Sequence, residues 1–189
     1  MLLNREFLKQ EARILHMDSV YKQSQVLNEN NTIYFAQKTY DIFLSHSYLD
    51  HELVYTIVDL FNVSGYSVYV DWMIDTQLDR TEVDRQTSET LRKRMNLSKG
   101  LAYVSTSNIS TSKWCPWELG YVDGKKRGRC AILPVMETQN DAFIGQEYLS
   151  LYPYIDYNKM EFWVNDPQDK EKYISLRKWL DGDNPYKHT

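Results

Sequence analysis

The chain has 189 residues, a formal net charge of -4 and a sequence pI near 5.6. That length can bury a core as one domain with an appendage, and the acidic balance argues against a general binder of nucleic acid or anionic membrane, which carries a basic excess. Only Cys115 and Cys130 are present, in neither a CxxC nor a Cys/His ligand spacing, so a zinc site or redox pair is not expected and two free thiols fit the cytosol. Arg5, Glu6, Lys9, Glu11, Arg13 and Asp18 break up the N-terminal apolar positions, and no apolar run reaches the ~18 residues of a membrane span. The expectation is a soluble, cytoplasmic chain.

Residues Leu3 to Leu27 place apolar side chains at steps of three, four and seven, among them Phe7, Leu8, Ile14, Leu15 and Tyr21, which predicts an amphipathic helix. Phe7, Ile14 and Tyr21 lie a heptad apart, so the helix either packs on the domain's flank or associates with a second copy; the series is too short to specify a coiled coil. Asn28 to Asn31 read as linker. Tyr40 to Ser45 is a short apolar run typical of a buried strand. Ser47 and Asp50 resemble a capping box for a helix that runs to about Val63 and ends at Gly65.

Ser67 to Asp71 predicts the second strand, Trp72 to Arg80 a loop, and Glu82 to Leu97 a helix whose Arg92, Lys93 and Arg94 read as a solvated basic face. Gly100 to Ser105 is the third strand, Cys130 to Val135 the fourth, and Leu151 to Tyr157 a fifth, on an edge because of Pro153. Residues 137 to 150 read as irregular. A last helix is expected from Asp166-Pro167, with Tyr173, Ile174, Leu176, Trp179 and Leu180 as its apolar stripe. Strand and helix alternating in this way predict an α/β, flavodoxin-like three-layer sandwich with a five-stranded parallel sheet, preceded by the N-terminal amphipathic helix. The expected division is residues 1–38 for helix and linker, 39–181 for the domain and 182–189 for a tail.

In such sheets ligands bind beyond the carboxyl ends of the strands. Ser45, His46 and Ser47 stand there after the first strand, Asp71 and Trp72 after the second, Ser105 to Ser107 after the third. Pro116 is tolerated only in a helix's opening turn, so a helix starts between Ser112 and Pro116. Trp114 and Glu118, four residues apart, then share one face at the dipole's anion-favouring end. A carboxylate beside an indole suits stabilisation of a positive charge developing on a ligand. A core edge with a bystander Glu is the plainer alternative. His46 reads either as a hydrogen-bonded structural residue or as a ligand contact, and Cys115 as buried packing. No Asp stands at the end of the third strand to accept a phosphoryl group, and no GxGxxG follows the first strand to cradle a dinucleotide.

Tyr40-Asp-Ile-Phe-Leu-Ser-His-Ser-Tyr-Leu-Asp50 and Ser112-Lys-Trp-Cys-Pro-Trp-Glu-Leu119, in this order and strand context, resemble the Toll/interleukin-1 receptor (TIR) domain over roughly Thr39 to Leu180, with the closest similarity to the TIR proteins of bacterial Thoeris antiphage defence. The resemblance implies an enzyme that cleaves NAD+ as substrate and needs neither a cofactor nor a metal. It implies Glu118 as the catalytic residue, Trp114 on the nicotinamide side, and Ser45, His46, Ser47, Trp72 and Ser105 around the substrate. It further implies a cyclic ADP-ribose-type messenger acting on a separate effector, self-association through TIR surfaces, and no nucleic-acid or membrane partner. Asp75 to Arg80 lacks the Gly-rich turn that some members have. A non-catalytic adaptor acting by homotypic assembly is the alternative within the same family.

Overall fold

The structure is a computed structural model that describes residues 1–26, 39–75, 78, 83–138 and 147–188, residues 16–26 in backbone only. The expected linker at 28–31, the side chain of Tyr21 in the heptad series and the greater part of the loop from 75 to 80 therefore lie outside what is described. The parallel sheet is made by β2 (Tyr40–Ser45), β3 (Val68–Tyr69), β4 (Ser98–Ser105), β5 (Cys130–Met136) and β6 (Tyr154–Asn158), in the order β3-β2-β4-β5-β6. All four neighbouring pairs are parallel. The chain runs from β2 outward to β3 and then crosses to β4 on the other side of β2, so the topological switch point lies between the carboxyl ends of β2 and β4.

Both faces of the central strands are covered, which is why they read as continuous apolar runs. Alternate residues divide between two cores. Ile42, Leu44, Ala102, Val104, Ala131 and Leu133 pack with α2 (His51–Val63) through Val54, Ile57 and Phe61. Phe43, Leu101, Tyr103 and Ile132 pack on the opposite face with Leu91 and Met95 of α4 (Arg85–Asn96) and Leu119 and Val122 of α5 (Cys115–Lys125). Gly65, at φ +81°, ends α2 in the left-handed conformation that glycine adopts without strain. Between β3 and α4, Asp71–Ile74 forms a single helical turn, α3, where sequence predicted loop.

The N-terminus contributes α1 (Arg5–Val26) and, ahead of it, the two-residue strand β1 (Leu3–Asn4), which pairs parallel with Val135 and Met136 of β5. Leu8 is buried, Phe7 and Leu15 pack against the same core, and Ile14 is exposed.

The C-terminal region departs most from expectation. In place of a helix from Asp166, the chain forms β7 (Glu161–Asn165) and β8 (Lys172–Ser175), both antiparallel, before a short α6 (Leu176–Leu180). Phe162 and Val164 alternate inward, a period of two. The β6–β7 turn places Lys159 and Met160 at φ +51° and +62°, the mirror-image turn of tight hairpins, without the Asn or Gly that advertises it. The apolar series therefore divides, with Ile174 in a strand and Leu176, Trp179 and Leu180 on one face of α6. Tyr186–Lys187 forms β9 and pairs with β8, joining residues beyond 181 to the sheet.

Candidate active site

A cavity of about 450 Å³ opens at the switch point, within the range of small-molecule sites. His46 and Ser47 line it after β2, Asp71 and Trp72 after β3, and Thr111 to Trp114 at the approach to α5. Two indoles and an imidazole give it apolar walls, while Lys113, Thr111 and Ser112 supply a cation and hydroxyls. Of the residues predicted from sequence, His46, Ser47, Trp72 and Trp114 line this space; Ser45, Ser105 and Glu118 are buried and do not line it.

Helix α5 begins at Cys115, so Pro116 occupies its first turn, where a missing N–H costs nothing. Glu118 follows in that turn, its N–H donating to the Trp114 carbonyl at 2.9 Å. Its side chain is fully buried, and the Ser45 hydroxyl donates to Oε2 at 2.6 Å. Ser45 is thus a donor to Glu118 and does not line the cavity. Because Glu118 exposes none of its surface, a ligand in the cavity reaches its oxygens only after neighbouring side chains shift.

His46 has a defined tautomer. Its Nδ1 lies 3.0 Å from the Leu44 carbonyl, which can only accept, so Nδ1 carries the hydrogen. Nε2 accepts from the Trp72 indole N–H at 2.8 Å. Both ring nitrogens are taken by the protein, and the side chain sets the orientation of Trp72. Asp71 Oδ1 stands 3.8 Å from Nε2, beyond hydrogen-bond length. Tyr55 packs edge-on against Trp72 at 4.8 Å. The Cys115 thiol is buried and donates to the His46 carbonyl at 3.1 Å, tying the β2 loop to the start of α5.

The turn that carries Trp72 is clamped from α4. Arg94 donates from Nε and Nη2 to the two oxygens of Asp75 at 2.8 and 2.6 Å, and the Tyr69 hydroxyl donates to the same carboxylate at 2.7 Å. Burial by itself raises the Asp75 pKa, but the Arg94 and Tyr69 hydrogen bonds outweigh it and hold the carboxyl below its ordinary value. Arg94 is therefore a half-buried structural cation, a correction to the solvated basic face predicted for residues 92 to 94. Arg92 lies over the Trp117 ring at 5.3 Å.

Sequence reasoning did not single out Thr111, Ser112 and Lys113 as cavity residues, although they belong to the segment that carries the family resemblance. Asp50, expected in a capping box, makes no side-chain cap bond; it is buried and gathers Thr106, Asn108 and Arg5 around its two oxygens.

This sheet order, with a buried carboxylate on the helix that follows cavity-lining Trp114, has the form of a TIR domain. The TIR domain family model matches residues 42–174, and the chain belongs to that family. Among individual relatives, it is 40% identical over 186 residues, 95% of this chain and 94% of the other, to a Bacillus cereus (strain MSX-D12) protein named "Probable 3' cyclic ADP-D-ribose synthase ThsB'". A Cytobacillus dafuensis protein named "Putative cyclic ADP-D-ribose synthase TIR2" is 40% identical over 86 residues, 45% of this chain and 23% of that protein.

Proposed function

We propose that this protein is a TIR enzyme that cleaves NAD+ at the nicotinamide–ribose bond and closes the remaining ADP-ribose into a cyclic signalling nucleotide, as part of Thoeris-type antiphage defence. The observation that carries the reading is Glu118, a buried carboxylate that accepts from Ser45, the neighbour of cavity-lining His46, and stands four residues after cavity-lining Trp114. The name of the full-length Bacillus relative supports it.

Loss of nicotinamide leaves an oxocarbenium-like ribose, and a carboxylate in a dry site stabilises that charge. Nicotinamide departs neutral, so the step needs neither metal nor cofactor. Trp72 and Trp114 offer flat faces to the rings of the substrate, and Lys113 a cation to its diphosphate. A ribosyl cation meets water unless the site excludes it, so cyclisation depends on closely fitted walls. The sealed position of Glu118 makes the conformation described here a resting one. Activity then awaits a trigger that shifts the wall, and assembly with further copies through TIR surfaces is the form we assign to it. The reaction takes place in the cytoplasm, and its product reaches a separate effector by diffusion. Neither nucleic acid nor membrane takes part.

The experiment is incubation of purified protein with NAD+, alone and with lysate from phage-infected cells, with products separated by mass and retention. Cyclic product from wild type and none from Glu118→Gln supports the reading. The closed position of Glu118 is also what a non-catalytic adaptor could tolerate. Filament formation without NAD+ loss under every trigger would favour that second reading.

A further inference from the structure

We propose that Asp50, paired with Arg5 at the N-terminal end of α1, is a positioning residue that sets the separation of two of the cavity's walls; this rests on the functional reading above. The Asp50 side chain exposes no surface. Thr106 Oγ1 donates to Oδ2 at 2.6 Å and Asn108 Nδ2 to Oδ1 at 2.8 Å, while Arg5 Nη2 stands 3.4 Å from Oδ1. Arg5 turns its Nε to Glu137, just beyond β5, at 3.0 Å, and Glu137 also accepts from Ser107 at 3.0 Å. One buried carboxylate and one guanidinium thereby join the loops that follow β2, β4 and β5 to the N-terminal segment.

The placement bears on the site because two of the three segments that line the cavity adjoin this clasp. Residues 46–49 of one wall run directly into Asp50, and residues 111–114 of the other begin three positions after Asn108. These segments stand outside the strands, so no sheet ladder fixes their spacing across the crevice. Asp50 ties the loop after β2 to the loop after β4. A buried carboxylate stripped of its cation draws in water, which loosens the loops it holds. A loosened wall admits water to the ribosyl cation, which diverts product from the cyclic form to ADP-ribose.

The test compares Arg5→Ala, Arg5→Lys and Asp50→Asn with wild type, measuring melting temperature, kcat, KM for NAD+ and the ratio of cyclic product to ADP-ribose, well below the lowest melting temperature. The expected result is a KM about tenfold higher and a cyclic fraction several-fold lower in Arg5→Ala and Asp50→Asn, with Arg5→Lys restoring most of both, as a misplaced wall predicts. A lower melting temperature with unchanged KM and product ratio would overturn the proposal and leave Asp50 a merely structural residue. Hydrogen exchange provides a readout that needs no activity. Faster exchange in residues 46–50 and 106–114 of Arg5→Ala supports the clasp, and unchanged exchange contradicts it. If wild type never cleaves NAD+, the functional reading fails while exchange still decides whether Arg5 and Asp50 hold these loops.

Discussion

Trp72 and His46 fix each other. The indole N–H fills Nε2 while the Leu44 carbonyl takes Nδ1, so removing either side chain leaves the other's polar atom without its partner. Trp72→Phe keeps an aromatic wall but leaves His46 Nε2 unsatisfied, and is expected to cost about 1–2 kcal/mol in urea unfolding. A double-mutant cycle with His46→Ala should show that the two changes do not add; strict additivity would contradict the pairing. At this scale the sequence order was informative for His46, Ser47, Trp72 and Trp114, because strand ends and a helix start place residues at the sheet edge regardless of detailed packing. It read Asp50 as part of a capping box, whereas its partners stand 45 to 58 positions away, and it placed Ser45 against the substrate although its hydroxyl meets Glu118. Which way a strand's last side chain turns is decided by the layer packed against it, and no local pattern records that.

Among the elements, α3 and α4 are joined by the Asp75–Arg94 pair. Because the folded carboxyl of Asp75 titrates below its ordinary value, the stabilisation it provides is complete above about pH 4 and is lost as pH falls through the lowered folded value. Arg94→Met should therefore lower stability at neutral pH, and its deficit relative to wild type should shrink in more acidic buffer. An equal deficit at all pH values would contradict the ion pair. Gly100 of β4 is a packing position, since a Cβ there would lie 2.9 Å from Leu180 Cδ2, 3.1 Å from Trp179 Cζ3 and 3.2 Å from the Arg129 carbonyl. Gly100→Ala is expected to destabilise by about 1–3 kcal/mol, measured by urea unfolding, because α6 must move away from the sheet. The parallel strands and their covering helices were legible because each carries its own period and terminators. The β6–β7 turn was not, since Lys159 and Met160 adopt positive φ without the residue types that signal it. Nor was β1, whose two residues pair across 132 positions with β5.

Taken as a molecule, the sheet brings three separate segments to one crevice: the ends of β2 and β3 and the approach to α5, the helix that carries Glu118. That convergence follows from the switch between β2 and β4, and it explains how motifs some 70 residues apart, Ser45 and Glu118, meet at 2.6 Å. The same burial that holds Glu118 in place also seals it, so the side chains around it have to shift before a ligand reaches its oxygens. The most direct measurement is NAD+ consumption by wild type and Glu118→Gln after exposure to phage-infected lysate, with circular dichroism confirming that both are folded. The account predicts release of nicotinamide with a cyclic nucleotide from wild type and none from the variant. Equal NAD+ loss by a folded Glu118→Gln protein would contradict it.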